Sequence, residues 1–400
     1  MSLMMAFCVV LLVLAIGDVV STKTKAFVPS VFVSALLFLF GFWTFFPADI
    51  VGLAGFEKTI ITLSMYLLIT HMGTMLSIKE LISQWRTVTV ALAGVVGICM
   101  MTLTIGRVLF GWETVVAATP PLTGGIVAAI MMSDAAAAKG MENLAVLAII
   151  MYVMQGFVGY PLTAIMLKKE GNRLLDLFRN GIVNIQKDVM AETAVTVEES
   201  KYKIFPPLPI KYQTTYMLLL KLGIVAWAAV GFSAWFQETT GFTFLSQYVV
   251  CLIFGVIFSE IGLLERKPLN LSGSFGFFMT GLMAFIFTGL AKATPQMLVQ
   301  IAGSLMGVIV LGVLGMGILS MVVGKLLGYT KEMAFAVALT ALYGFPPNYI
   351  LTEEATKALT EDEEERKYLM DQMLPKMLVG GFTTVTIVSV IVAGLFVNMF

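Results

Sequence analysis

Blocks of about 20 apolar residues recur along the chain, and this recurrence restricts the fold more than any other sequence feature. A helix needs about 20 such residues to cross roughly 30 Å of hydrocarbon, so each block predicts a membrane-embedded segment. Six blocks precede and six follow a polar stretch at 168–212. The blocks lie at about 4–21, 27–46, 58–76, 87–109, 114–138, 144–167, 213–236, 243–263, 271–291, 297–323, 332–357 and 373–398. We therefore predict an all-α integral membrane protein.

The composition excludes several classes of function. Only 12% of the 400 residues are charged, about half the share found in soluble proteins. The net charge is zero, so the chain offers no basic face to nucleic acid. Three cysteines lie apart within apolar blocks and there is one histidine, which argues against a metal centre. No nucleophile with a plausible base and no nucleotide-binding loop is recognisable, so we predict that the protein is not an enzyme and has no cofactor.

The distribution of Lys and Arg predicts the orientation in the membrane, because short basic loops stay in the cytoplasm. The stretch 168–212 carries eight of these residues and is assigned to the inside. The loop with Lys23 and Lys25 and the loop with Lys79 and Arg86 are also assigned there. These assignments predict a multi-pass protein of the cell inner (plasma) membrane with its N-terminus outside.

Block 114–138 is predicted to be broken and re-entrant. If it crossed fully, the basic stretch after block 144–167 would lie outside. Its segment 119–125, Thr-Pro-Pro-Leu-Thr-Gly-Gly, also cannot form an uninterrupted helix, since Pro lacks an N–H donor and Gly weakens helices. Block 332–357 is interrupted in the same way by residues 344–348, Gly-Phe-Pro-Pro-Asn.

The two halves resemble each other weakly but in a preserved order. The matched positions are Gly106/Gly324, Gly111/Gly328, Thr123/Thr340, Asp134/Glu354 and Gly156/Gly381. The first half is predicted to cross the membrane five times. Because this number is odd, the second half starts on the opposite side of the membrane and has the inverted orientation. We predict an N-terminal repeat at 1–167, a cytoplasmic linker at 168–212 and a C-terminal inverted repeat at 213–400, each repeat with about five transmembrane helices and one re-entrant hairpin.

This order of elements resembles the sodium:glutamate symporter family and, more distantly, the 2-hydroxycarboxylate and citrate transporters. The resemblance covers nearly the whole chain. It implies hairpins that meet tip to tip and bind substrate and sodium, an elevator mechanism and a homodimer. The glutamate symporters have a Gly-Gly-His-Gly-Thr-Gly hairpin, of which Thr123-Gly124-Gly125 keeps the paired glycines and a neighbouring threonine. The second hairpin keeps Gly344-Phe345, so the resemblance implies the fold rather than glutamate as substrate.

The broken segments are the predicted binding site for a small organic solute, since half-helix ends present unpaired backbone groups. Gln155 is added because block 144–167 can face a hairpin. The candidate substrate-binding residues are Thr119, Thr123, Gly124, Gly125, Gln155, Tyr343, Gly344, Phe345 and Asn348. The alternative is that the glycines allow close helix packing and the prolines form a simple kink.

Oxygen-bearing side chains of the same blocks are candidate ligands of sodium, the expected coupling ion. They are Ser133, Asp134, Thr340, Thr352 and Glu353. Asp134 is the strongest candidate, because a carboxylate within a membrane segment usually faces a polar cavity or a counter-ion. It could equally cap the segment or pair with Lys139 in water, and Glu353 could lie at the surface. His71 is either a proton carrier or a packed residue near the end of its span.

Two transport functions remain open. The leading hypothesis is symport of an amino acid or carboxylate with Na⁺ or H⁺. The alternative is a cation/proton antiporter in which Asp134 and Glu353 exchange ions without an organic substrate. A channel is less favoured, because the chain has no repeated filter and the two broken segments differ in sequence.

Overall fold

The computed structural model describes residues 1–75, 84–180, 204–206, 208–240, 247–292 and 294–400. All regular structure in these ranges is helical. The α-helices are α1 Leu3–Lys23, α2 Ser30–Thr44, α3 Ile50–Leu53, α4 Lys58–Gly73, α5 Trp85–Met101, α6 Arg107–Phe110, α7 Trp112–Leu122, α8 Ile126–Ala138, α9 Glu142–Arg179, α10 Thr215–Thr240, α11 Gln247–Glu260, α12 Pro268–Leu271, α13 Phe275–Ile286, α14 Pro295–Leu326, α15 Lys331–Leu339, α16 Pro347–Leu359, α17 Glu363–Phe382 and α18 Ser389–Val397. A π-helical stretch, Thr102–Gly106, joins α5 to α6, and another, Thr383–Val388, joins α17 to α18.

Six helical segments are long and apolar enough to cross a membrane, which is consistent with an all-α membrane protein. They are Leu3–Lys23, Trp85–Phe110, Glu142–Arg179, Thr215–Thr240, Leu298–Leu326 and Glu363–Val397. Four further apolar helical segments are shorter, Ser30–Thr44, Ile126–Ala138, Gln247–Glu260 and Phe275–Ala291. Each of these segments coincides with an apolar block of the sequence. The assignment of each loop to the inside or the outside of the membrane stays a prediction.

Two boundaries differ from the sequence-based expectation. Helix α9 continues to Arg179, so the first part of the expected linker at 168–212 is helical. Apolar residues recur with helical spacing from about 174 to 190, which predicts a surface helix; its part beyond residue 180 lies outside the described residues. The charge of the acidic run 361–365 predicts a solvated loop, but residues 363–365 form the first turn of α17, and Asp362 before them accepts a hydrogen bond from the Glu365 amide at 2.9 Å. Acidic side chains are stabilising in a first helical turn because they face the positive end of the helix dipole.

The chain forms two compact units, each assembled from distant parts of the sequence. The first contains Met1–Gly55, Gln84–Asn172 and Ile286–Phe400, and the second contains Phe56–Ser83 and Arg173–Phe285. Both units combine segments from the first and the second predicted halves. The compact units therefore differ from the two halves on either side of 168–212. The division into two repeats stays a prediction.

In the first unit, α5 and α14 pack closely along their lengths. Gly97 and Gly315 make this possible, because a Cβ on either glycine would overlap the backbone carbonyl of the other. Helix α1 packs on α2 in a similar way, where a Cβ on Gly17 would overlap the side chain of Ser34. Small residues of this kind allow close helix packing in membrane proteins.

In the second unit, α4 packs on α11 through Gly73 and Gly255, whose Cα atoms face the opposing backbone. His71 is fully buried here, and its Nδ1 accepts a hydrogen bond from the Leu269 amide at 3.3 Å. The ring of Phe275 lies 5.4 Å from the imidazole. The histidine thus occupies a packed position between α4, α12 and α13.

Candidate functional site: two broken helices that meet

The first broken segment consists of α7 and α8, separated by Thr123, Gly124 and Gly125. Pro120 and Pro121 lie inside α7, so the helix ends at the glycines and not at the prolines. Gly124 has φ +121° and Gly125 has φ +75°, conformations that side chains rarely adopt. We refer to α7, α8 and this turn as hairpin 1.

The second broken segment consists of α15, a 3₁₀ turn at Thr340–Leu342, and α16. Gly344 has φ +65° and donates its N–H to the Thr340 carbonyl at 2.8 Å. Helix α16 then begins at Pro347, a position where proline is favourable because the first helical N–H has no intrahelical partner. We refer to these elements as hairpin 2.

Both ends of hairpin 1 lie beside the C-terminus. At its start, the Trp112 indole N–H donates to the Met399 carbonyl at 3.0 Å. At its end, the Lys139 ammonium donates to the Phe400 carbonyl at 2.5 Å. The chain therefore enters and leaves hairpin 1 at the same end of the unit.

Both ends of hairpin 2 lie beside α9, near residue 170. At its start, the Thr330 hydroxyl donates to the Glu170 carboxylate at 2.7 Å. At its end, Leu359 packs against Gly171. Helix α9 starts three residues after Lys139, so at 1.5 Å per residue the two hairpin bases are separated by roughly 40 Å along α9.

The tips of the two hairpins meet between these bases. A Cβ on Gly124 would lie 2.8 Å from the carbonyl oxygen of Ala341 in hairpin 2. Gly125 and Gly344 both pack against Val385, which belongs to the π-helical stretch between α17 and α18. π-helical turns are rare and occur frequently at functional sites, so three irregular backbone segments converge here.

Helix α9 forms one wall of this meeting point. A Cβ on Gly159 would lie 2.9 Å from the Tyr343 ring and 3.1 Å from the Leu342 side chain. The hydroxyls of Thr163 and Tyr343 are 2.7 Å apart, and the ring of Tyr160 lies 5.4 Å from that of Tyr343. Sequence reasoning predicted Tyr343 but missed Thr163, whose position on the same helical face as Gln155 and Gly159 was the available signal.

Two buried amide side chains at this level have unpaired polar atoms. Gln155 is 0% exposed, and neither its Nε2 nor its Oε1 has a hydrogen-bond partner among the described residues. Asn348 is also 0% exposed; its Nδ2 donates to the Met377 carbonyl at 3.1 Å, which leaves Oδ1 unpaired. An unpaired buried polar group costs about 1–3 kcal/mol, so such groups need a reason.

The predicted threonine ligands are buried, and each of them donates its hydroxyl to a neighbour. Thr119 donates to Thr102 at 2.9 Å, Thr123 to Pro120 at 2.8 Å, Thr340 to Val337 at 2.6 Å and Thr352 to Asn348 at 2.7 Å. Each of these hydroxyls keeps lone pairs that can accept a further hydrogen bond. Phe345, the remaining tip residue, stacks on Phe382 at a centroid distance of 5.9 Å.

The predicted acidic ligands lie away from the tips. Asp134 is exposed near the end of α8, on the same face as Ile126 and Ile130, and Ser133 beside it is half-buried. Glu353 forms an ion pair with Lys357 at 2.8 Å. Within the described ranges, no group of three or more His, Cys, Asp or Glu side chains is arranged to hold a metal ion.

Glu354, and not Glu353, is the acid of α16 that contacts another helix. Its two carboxylate oxygens accept from the Ser30 amide at 3.2 and 3.3 Å, at the N-terminus of α2. The side chains of Ser21 and Ser30 also hydrogen-bond this carboxylate, and Asp18 lies near it. The match of Glu354 to Asp134 in the repeat comparison was the only sequence signal for this residue.

Comparison with known proteins adds no family assignment. No protein-family model matches the chain, and no curated protein sequence matches it significantly.

Proposed function

We propose that the protein is a secondary active transporter that moves a small organic solute, such as an amino acid or a carboxylate, together with Na⁺ or H⁺. The observation that carries this proposal is the meeting of two broken helices around buried, unpaired amide groups. Broken segments in corresponding places of two halves mark the midplane binding site of many transporters. Non-helical backbone at this depth is tolerated where it lines a cavity or is buried in protein.

Two inverted repeats are part of the proposal. Helices α1 and α2 pack together in the first half, as do α10 and α11 in the second. Hairpin 1 has its base beside α18, the last helix of the second half, and hairpin 2 has its base beside α9, the last long helix of the first. This reciprocal exchange is what two halves of opposite orientation would produce.

An elevator mechanism is the proposed mode of transport. Both hairpins, α17 and α18 belong to the first compact unit. Helix α9 belongs to it as far as Asn172. This unit would carry the solute as one moving body, which fits a site formed entirely within it. A homodimer and sodium coupling are expectations from the family resemblance.

Cation/proton antiport is the second candidate, and one observation favours it. The half-buried carboxylate of Glu354 lies near Asp18, and paired acids of this kind can exchange a proton for a cation. The segments at the tips themselves, 119–125 and 340–348, contain no acidic residue. This distribution favours a solute at the tips over ion exchange alone.

The test is solute-dependent stabilisation of the purified full-length protein. Thermal unfolding is measured against amino acids, monocarboxylates, dicarboxylates and tricarboxylates, each in sodium and in potassium buffer. A ligand of the folded state stabilises by RT ln(1 + [L]/Kd), so a true ligand produces a concentration-dependent rise in Tm. Uptake of each stabilising solute into proteoliposomes with an imposed sodium or proton gradient then tests transport.

We expect at least one solute to raise the Tm and to accumulate only when a cation gradient is present. If sodium or pH alone shifts the Tm and no solute does so, the antiporter replaces the symporter. If neither solutes nor cations change the Tm, and no gradient drives any flux, the transport proposal is wrong.

A further inference from the structure

The chemistry of the solute follows from the groups that remain unpaired at the tips. Gln155 lies one helical turn before Gly159 on α9, and residues four apart share one helical face. Since Gly159 contacts Leu342 and Tyr343, this face is directed towards hairpin 2. With no hydrogen-bond partner among the described residues, the Gln155 amide offers one donor and one acceptor on this face.

Asn348 contributes a second acceptor of defined orientation. Its Nδ2 is held by the Met377 carbonyl, and exchanging the two amide atoms would set oxygen against oxygen. The free atom is therefore Oδ1. A ligand that satisfies both side chains must offer at least two hydrogen-bond donors and one acceptor.

The region around the tips offers little to a multivalent anion. The four segments that form it, 119–125, 155–163, 340–348 and 377–389, contain no charged residue. The nearest cation along the chain is Lys376, whose ammonium donates to the Gln372 carbonyl, one turn closer to the start of α17. A second or third carboxylate would therefore be buried without a counter-charge, which is strongly unfavourable.

Only one of the two half-helices that start at the tips can receive an anion. In α16, Pro347 has no N–H and the Asn348 amide donates to the Gly344 carbonyl at 3.1 Å. In α8, no side chain caps the N-terminus after Gly125, so the first amides and the positive end of the helix dipole are available for one carboxylate.

We infer that the solute is a zwitterionic amino acid with a carboxamide side chain, and not a dicarboxylate or tricarboxylate. This inference rests on the proposed transport function and narrows it. The single carboxylate binds at the start of α8. The ammonium lies towards the carbonyl end of the 3₁₀ turn in hairpin 2, and the side chain hydrogen-bonds Gln155 and Asn348.

The experiment compares ligands that differ only between amide and acid. Binding of radiolabelled L-glutamine and L-glutamate, and of L-asparagine and L-aspartate, is measured on the purified full-length protein in sodium buffer. We expect the amide member of at least one pair to bind at least tenfold more tightly, equivalent to about 1.4 kcal/mol.

The failures of the two proposals are distinguishable. If the acid member binds as tightly as the amide, or if the active solute belongs to another class, the inference is wrong while the transport proposal stands. If no solute binds and no flux is driven by a gradient, the transport proposal itself fails and the inference fails with it.

Three variants identify the residues responsible. Gln155→Leu should reduce the preference for the amide ligand to less than threefold. Gln84→Leu is the matched control, because Gln84 is a buried amide that accepts a hydrogen bond from Thr87 away from the tips; it should keep the preference. Lys376→Met should change the affinity for the amide ligand by less than threefold. Complete loss of binding in this variant would show that the Lys376 ammonium recognises the ligand, and would overturn the inference.

Discussion

The packing of the hairpin 1 tip on the π-helical stretch can be tested by adding a single methyl group at Gly125. This residue has φ +75° and ψ 133°, a conformation that disfavours any side chain. A Cβ there would lie 2.5 Å from the Val385 carbonyl oxygen and 2.8 Å from the Ser389 Oγ. Gly125→Ala therefore combines backbone strain of about 1–3 kcal/mol with overpacking of about 1–3 kcal/mol.

Gly111 provides a matched control for the backbone term. Its φ of 86° and ψ of 158° resemble those of Gly125, but no atom lies within 4 Å of a Cβ placed on it. Gly111→Ala should therefore carry the strain without the overlap. The difference between the two variants isolates the contact with Val385, about 1–3 kcal/mol.

The assay is thermal unfolding of both variants in the same detergent and at the same scan rate, because membrane proteins often unfold irreversibly. At the 2–4 °C per kcal/mol typical of units of 150–250 residues, Gly125→Ala should lower the Tm by about 2–12 °C more than Gly111→Ala. Equal losses in the two variants would refute the close packing of hairpin 1 on the π-helical stretch.

Three further outcomes are expected. Glu354→Leu should destabilise the protein by about 1–3 kcal/mol, measured by thermal unfolding, because the buried Ser30 amide at the start of α2 loses its hydrogen-bond acceptor; an unchanged Tm would contradict this contact. Gly315→Ala should destabilise through overlap with the facing carbonyl of α5, whereas Gly303→Ala in the same helix meets no atom and should stabilise by about 0.5–1 kcal/mol. Asp134→Asn should leave solute affinity within twofold in a binding assay, since this residue is exposed, and loss of binding would restore it as a candidate ligand.

Local sequence chemistry predicted the helical elements well. The apolar blocks coincide with the long helices because hydrocarbon thickness fixes the length of a span. The interruptions at Gly124-Gly125 and Gly344 follow from the positive φ that these turns require. The prolines were less informative, since Pro120 and Pro121 lie within the last turn of α7 and Pro347 starts α16.

The contacts of the acids could not be read from the sequence. Asp134, Glu353 and Glu354 all lie in apolar blocks, but only Glu354 is directed towards another helix, where it binds the amide of Ser30. Neighbouring positions on a helix point about 100° apart, so an error of one residue exchanges a carboxylate that contacts another helix for one that does not. The pattern of apolar residues is too uniform here to define that direction.

The sequence by itself determined that this is a helical chain with two interrupted segments, because span length and backbone freedom are local properties. Only the tertiary structure decided that Gly124 faces Ala341, that both tips pack on Val385, and that the Gln155 amide has no hydrogen-bond partner among the described residues. Gly124 and Ala341, for example, are more than 200 positions apart in the chain. They depend on how close each helix approaches the next, and that distance is set by packing across the whole unit rather than by any single segment.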